Sequence, residues 1–377
     1  MKIAIIQPRT SYFVAGSEKI SLKHAEFLAK LGHEIDLYTS DFEGIKHTTL
    51  FKDFLNKNIP GVSIFYYDAS VLAPGIYQGE PDREHKRWNE ESEAFNRLIF
   101  KDLNNNKPDI ILAYYLPDNI FKPQDIPNVV YLSGYSKNPI PYYKKYIESC
   151  DATIAISEVV SEKWAEEKRN VKLNYVHGTG VDCPLIIQDQ IPVKENINLV
   201  YAGRLIERKG ALTLLDAFEK ITKLRNDVHL WILGDGELND MMREKIISLG
   251  LEDKVTMTGL VDNPYDYFNI ADICVFPSHE GDGLMGTVLE SMSAGKAIIA
   301  TTKNGNGDVI TSGVNGILLE PRDEEGLVSS ILELIDDESK RKILGNNAKE
   351  FIVKNVAWEK NIVKLSDILE EIVHKTK

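Results

Sequence analysis

The sequence predicts an α/β protein of two doubly wound domains, each a parallel sheet with helices on both faces. Three observations carry this. Short apolar runs alternate with amphipathic stretches along the whole chain, the pattern of strand–helix units that build parallel sheets. The alternation breaks once, at 183–195 (CPLIIQDQIPVKE), where two prolines interrupt it, and then resumes. The chain has 377 residues, more than one ordinary core accommodates. An amino-terminal domain is therefore expected over 1–190 and a carboxyl-terminal domain over 191–377.

The elements follow in order. Residues 2–7 (KIAIIQ) read as a buried first strand. Gly16 precedes a helix over 17–31, in which Ile20, Leu22, Ala25, Leu28 and Leu31 recur near helical spacing and Gly32 supplies the stop. Further strands are expected at 34–39, 62–67, 109–114, 128–132 and 152–156, with helices at 85–103 and 158–168. After the break, strand 197–202 (INLVYA) opens the second series. It continues with helix 211–224, strand 229–233, helix 237–248, strands 255–258 and 272–276, and helix 287–294. Strands 297–301 and 316–319 and helices after 323 complete it, and the amphipathic stretch 359–374 can pack back on either domain.

Composition narrows the function classes. Hydrophobic residues make up 43% and charged residues 27%, an ordinary globular mixture with no sign of disorder or a fibrous repeat. The net charge is -13, roughly -4 in residues 1–190 and roughly -9 in the rest. Neither half is a basic surface, which argues against nucleic acid as a partner. Membrane association is not indicated, because an acidic surface does not draw anionic lipid. Lys144 and Lys145 read as a solvated helix face or a local basic patch. Cys150, Cys183 and Cys274 are far apart and in no metal spacing, so reduced thiols and a cytoplasmic setting are expected. The apolar run Ile3 to Ile6 is too short for a signal or spanning helix.

The first strand-to-helix loop speaks against a nicotinamide enzyme. A dinucleotide fingerprint, G-x-G-x-x-G, would stand there, and 8–16 (PRTSYFVAG) carries one glycine. The densest chemistry lies at 277–294 (PSHEGDGLMGTVLESMSA). Gly281, Gly283 and Gly286 let the backbone approach a ligand, and a helix starting near Thr287 offers N–H groups and partial positive charge to a diphosphate. Asp282 sits in the turn, and Glu290, eight positions on, can accept both hydroxyls of a ribose. The competing reading is a surface helical Glu after an ordinary turn. Residues 203–210 (GRLIERKG) put Arg204 and Lys209 at the carboxyl end of strand 197–202, the edge at which open α/β sheets bind ligands. Arg suits bidentate phosphate contact and Lys acts as a compact charge; alone, the loop also reads as solvated charges. Gly16 either gives close approach to a phosphate or marks a plain turn.

Taken together these residues resemble the retaining glycosyltransferases of family four, over nearly the whole chain. The carboxyl-terminal pattern is the more specific. It comprises Gly203, Arg204, Leu205, Lys209 and Gly210, then Gly-Asp-Gly at 234–236, VTMTGLV at 255–261, Asp282 with Glu290, and NGILLEP at 315–321. The amino-terminal likeness rests on Gly16, GHEIDLYT at 32–39, AISE at 155–158 and HGTGVD at 177–182. The resemblance implies the GT-B fold, two Rossmann-like domains facing across a cleft, and transfer of a sugar from a nucleotide-diphosphate donor with retention. It assigns Asp282, Arg204 and Lys209 to catalysis. Gly16, Leu260, Gly283, Leu284, Met285, Gly286, Thr287 and Glu290 are assigned to the donor, with Leu260 near the base and Glu290 on the ribose.

No D-x-D motif occurs, so no metal or other cofactor is expected. The acceptor, whether a glycan, a lipid-linked sugar or a small molecule, is expected on the amino-terminal domain. There 42–52 and 72–92 look like variable loops, and Tyr77, Trp88, Tyr142 and Tyr143 either stack on it or pack. Asp282 and Asp308 stand where Glu is commoner in the family, and Ser133 or Gly134 stands where many relatives have His, with Glu280 close to Asp282. The alternatives are a nucleotide-sugar epimerase of the same fold and an inactive nucleotide-sugar-binding protein.

Overall fold

The computed structural model describes residues 1–13, 16–41, 45–68, 81–114, 125–134, 147–183, 196–261, 263–280, 286–303 and 305–376, with backbone alone over 81–93. Two compact units emerge: Met1–Thr179 with Asn361–Lys377, and Gly180–Lys360. The break expected at 190/191 falls in 184–195, outside the described residues.

In the first unit, seven parallel strands take the order β3-β2-β1-β4-β5-β6-β7. They are β1 (Lys2–Ile6), β2 (Glu34–Ser40), β3 (Val62–Tyr67), β4 (Ile110–Ala113), β5 (Asn128–Leu132), β6 (Ala152–Ala155) and β7 (Leu173–Val176). Ile3, Ala4 and Ile5 of β1 are fully buried, because helices cover both faces of a parallel sheet. The helices are α1 (Gly16–Lys30), α2 (Thr49–Asn56), α3 (Pro81–Asn106) and α4 (Glu158–Lys163). Phe95, Ile99 and Leu103 of α3 pack on Ala4, Ile6 and Ile111 of the sheet.

In this unit two elements add to the sequence expectations. Helix α2 replaces part of the expected loop 42–52: Thr48 caps it by accepting from the Phe51 N–H, and Phe51 and Phe54 are buried. Strand β7 lies at one edge of the sheet, with Leu173, Tyr175 and Val176 half-buried and Asn174 exposed. The helix expected over 158–168 is shorter, ending at Lys163.

The second unit has six parallel strands in the order β10-β9-β8-β11-β12-β13. They are β8 (Ile197–Ala202), β9 (Val228–Leu233), β10 (Val255–Gly259), β11 (Ile273–Phe276), β12 (Ala297–Thr301) and β13 (Ile317–Leu319). Its helices are α5 (Ala211–Thr222), α6 (Asn239–Ser248), α7 (Tyr265–Ile270), α8 (Gly286–Ser293), α9 (Glu324–Asp336) and α10 (Glu338–Asn355). Side chains of β8 alternate between two cores. Leu199 and Tyr201 join Leu214, Phe218 and Ile331 of α5 and α9. Val200 and Ala202 join Val288, Met292 and Ile352 of α8 and α10. Each fully buried Leu, Ile or Phe contributes about 1.5–3 kcal/mol, so both faces stabilise the sheet.

Strands β8 and β11 are neighbours in parallel register, Ile273 opposite Leu199 and Cys274 opposite Val200. The chain moves outward from β8 through β9 to β10, and on the other side from β11 through β12 to β13. The junction of β8 and β11 is therefore the switch point of the sheet, where an open α/β fold leaves a crevice at the strand carboxyl ends.

The last helix, α11 (Trp358–Thr376), belongs to the first unit from Asn361 onward. Ile362, Leu365, Leu369 and Ile372 form its buried stripe. His33 Nε2 meets Ser366 Oγ at 2.7 Å. His177 Nε2 donates to the Asn361 carbonyl at 3.0 Å, and Asn361 Nδ2 donates to the Gly178 carbonyl at 2.7 Å. Beside His177 lies His24 of α1, ring centroids 6.2 Å apart, with its Nδ1 bonded to the Tyr114 hydroxyl.

Burial pushes His24 well below its ordinary pKa, and the nearby His177 adds to this. Burial also lowers His177, outweighing the bond to Asn361, and Lys364 pushes the same way. The unfolded chain takes up these protons near pH 6.5 while the folded one resists, so stability must fall as pH drops below 6.5. Each histidine contributes up to about 1.4 kcal/mol per pH unit. Denaturant titrations between pH 7.5 and 5.5 are expected to show a shallower decline for His177→Gln than for the wild type; equal slopes would count against this cluster.

Candidate active site

Loop 203–210 leaves β8 and is clamped on both sides. Towards β9, the Gly203 N–H donates to the Leu233 carbonyl at 3.0 Å, and the Leu205 N–H to the Asp235 carbonyl at 2.9 Å. Leu238 donates in turn to the Leu205 carbonyl at 2.9 Å. The Leu205 side chain is fully buried, and the Tyr201 hydroxyl donates to the Arg204 carbonyl at 3.1 Å. Anchored this way, the loop holds Arg204 exposed and Lys209 half-buried. Lys209 ends a single 3-10 turn, Glu207–Lys209, closed by Gly210 at φ +72°.

Towards β11, the loop docks on 277–280. The Arg208 carbonyl accepts from the His279 N–H at 2.9 Å and the Glu280 N–H at 3.3 Å. A Cβ at Gly210 would stand 1.9 Å from the Pro277 carbonyl oxygen. Glycine is thus required there twice over, by sterics and by its left-handed backbone. Thr301 Oγ1 donates to the Ser278 carbonyl at 2.7 Å, tying the segment to β12.

The expected site residues distribute as follows. Arg204 and Lys209 lie on one loop at the switch point, and α8 starts from the loop that docks against it. Gly286 is the first residue of α8 and is exposed, and Thr287 is half-buried. Glu290, the fifth residue of α8, is 9% exposed, so it is a buried carboxylate rather than a surface helical Glu. Its carbonyl accepts from Ser293 Oγ at 2.8 Å. Its charge lies close to Tyr265, whose phenol is pushed up first by burial and further by Glu290. The Tyr265 hydroxyl donates to the Asp182 carbonyl at 2.7 Å.

Leu260 directly follows β10 on the same edge of the sheet, its side chain 80% exposed. Asp308 is exposed on a 3-10 turn after β12. Gly16 belongs to the other unit, as the exposed first residue of α1.

Asp282, Gly283, Leu284 and Met285 lie outside the described residues, as do Tyr77, Tyr142, Tyr143, Lys144, Lys145 and the Trp88 side chain. Ser133 and Gly134 follow β5, and the Gly134 carbonyl accepts from Trp164 Nε1 at 2.8 Å. Among the described residues, no three His, Cys, Asp or Glu side chains converge as a metal site. The sequence reading passed over His279 and Arg208. Their roles depend on contacts between distant segments, and the only local signal was a histidine just past a strand end.

Residues 185–351 match the model of the family described as glycosyl transferases group 1. An uncharacterised glycosyltransferase of Methanocaldococcus jannaschii is 30% identical over 265 residues, 65% of this chain and 66% of that protein. The chain belongs to the group 1 glycosyltransferases. A lipopolysaccharide 1,2-N-acetylglucosaminetransferase of Salmonella typhimurium is 24% identical over 69% of this glycosyltransferase and 67% of its own length. The alignments thus span about two thirds of these relatives.

Solved structures extend the likeness to the whole fold. HepE of Anabaena, in complex with UDP, superposes with TM-score 0.74 at 18% identity, covering 98% of this chain and 100% of that one. A sucrose-phosphate synthase of Thermosynechococcus elongatus reaches 0.77 at 18% identity, with 99% of both chains covered. At such identities the likeness is one of fold, and it makes this a GT-B glycosyltransferase with two Rossmann-like units.

Two glycines separate packing from open space. Gly210→Ala is expected to lose at least about 2 kcal/mol in denaturant unfolding, from the left-handed backbone and the clash with Pro277. At Gly16 nothing lies within 4 Å of an added Cβ, so Gly16→Ala is expected to stay within about 0.5 kcal/mol of the wild type. Similar costs for the two would contradict the described docking.

Proposed function

We propose that this glycosyltransferase moves a sugar from a nucleotide-diphosphate donor to an acceptor with retention at the anomeric carbon. The observation that carries the reading is the docked pair of loops at the β8–β11 switch point, with Arg204 and Lys209 on one and α8 following the other. When the bond between sugar and diphosphate breaks, negative charge grows on the departing phosphate. Arg204, Lys209 and the amino terminus of α8 act on that charge, stabilising the transition state more than the ground state. Protein cations then do what a divalent ion does elsewhere, and no metal is required. Glu290 takes the ribose hydroxyls, Asp282 the hydroxyls of the donor sugar, and the backbone near Leu260 the base.

HepE of Anabaena is solved with UDP and with UDP-glucose, which makes uridine diphosphate sugars the first donors to test. Cys150, Cys183 and Cys274 are free thiols, which supports a reducing, cytoplasmic setting. Acceptors to screen are glycans, lipid-linked sugars and small molecules, with product analysis separating transfer from epimerisation of the donor alone.

A charged hydrogen bond is worth about 1.5–3 kcal/mol, and about 1.4 kcal/mol is tenfold. Glu290→Ala is expected to weaken donor binding about tenfold or more by calorimetry. Unchanged affinity in a folded variant would remove Glu290 from the donor site. Turnover is expected to survive a chelator; loss restored by manganese would overturn the metal-free mechanism.

A further inference from the structure

One buried side chain joins the two site loops and has no part in the proposed chemistry. His279 follows the end of β11 and is 7% exposed. Its Nε2 lies 2.8 Å from Thr213 Oγ1, in the first turn of α5, the helix that loop 203–210 leads into. Its own N–H holds the Arg208 carbonyl, next to Lys209. Its Nδ1 is buried, makes no hydrogen bond among the described residues, and faces a Glu207 carboxylate oxygen at 3.8 Å. A neutral imidazole with its proton on Nδ1 turns that proton towards Glu207 and leaves Nε2 to accept from the Thr213 hydroxyl. Burial lowers the pKa of this imidazole, and Arg322 lowers it further against the opposing Glu207 and Glu280.

We propose that His279 is a positioning residue: its bridge to Thr213 fixes segment 277–280 against loop 203–210 and so sets the affinity of the site for the donor diphosphate. This rests on the donor reading of that site. Backbone docking and the Thr301–Ser278 bond hold the start of segment 277–280, but neither ties it to α5. The side-chain bridge adds a second point on α5 and fixes the angle at which the chain departs towards α8. The site then pays less ordering entropy when the diphosphate arrives. Thr213 and His279 are 66 positions apart, so the bridge is invisible to any local pattern.

The test is calorimetric titration of UDP, GDP and ADP into the whole chain. The wild type is compared with His279→Leu, His279→Gln and Thr213→Val, and each melting temperature is recorded. His279→Leu and Thr213→Val are expected to weaken the best-bound nucleotide about fivefold. The double variant should be no weaker than either single one, because both remove the same bridge. His279→Gln, whose amide reaches the Nε2 position, should recover most of the affinity. Affinity unchanged in Thr213→Val, or falling only in step with melting temperature, would overturn the positioning role. A wild type that binds none of the three would overturn the donor reading and this inference with it.

Discussion

The constraint on which the rest depends is the close approach of two backbones at one point, where the Pro277 carbonyl lies over Gly210. It lets loop 203–210 and segment 277–280 share the Arg208 carbonyl through two hydrogen bonds. Without it, the loop that carries Arg204 and Lys209 and the one that leads to α8 would lose their backbone contact. The approach follows from topology. Strands β8 and β11 are adjacent and parallel, and the chain leaves them in opposite directions across the sheet. Their carboxyl-terminal loops therefore emerge side by side with no helix wedged between.

The charge around this point runs against the molecule. The chain carries -13 overall, yet residues 204–209 at the switch point set Arg204, Arg208 and Lys209 against Glu207. A local cationic loop on an acidic protein concentrates an anionic ligand there and repels it elsewhere. Glu290 adds the opposite sign at one place, as a buried carboxylate one turn into α8. A carboxylate is costly to bury unless hydrogen-bond donors surround it. Under the proposed function, the cations meet the diphosphate of the nucleotide and Glu290 its diol.

How much of this was legible in the sequence varied with how local the cause was. Strands β1 and β8 read directly, because strands buried on both faces are unbroken apolar runs such as KIAII and INLVYA. The loops at 203–210 and 277–280 were also legible, since glycine and charge at a strand end leave a local trace. Helix α7 was not expected: six residues, YDYFNI, carry too little periodicity to be told from a loop. Helix α2 hid in the same way, its burial resting on Phe51 and Phe54 alone. The burial of Glu290 and the role of His279 lay beyond sequence reading, because each is created by partners far along the chain. The destination of the last helix was open for the same reason; His33, His177 and Gly178 fasten it to the first unit. Asp282 and its neighbours to Met285 remain sequence assignments, lying outside the described residues.

The most direct measurement is amide hydrogen exchange across the whole chain, with and without a saturating nucleoside diphosphate. A diphosphate held at the switch point should slow exchange in 203–210 and 277–290 together, with little change at the amino-terminal edge of the same sheet. Slowing confined to other segments, or none at saturation, would contradict the central claim that these two loops form one anion site.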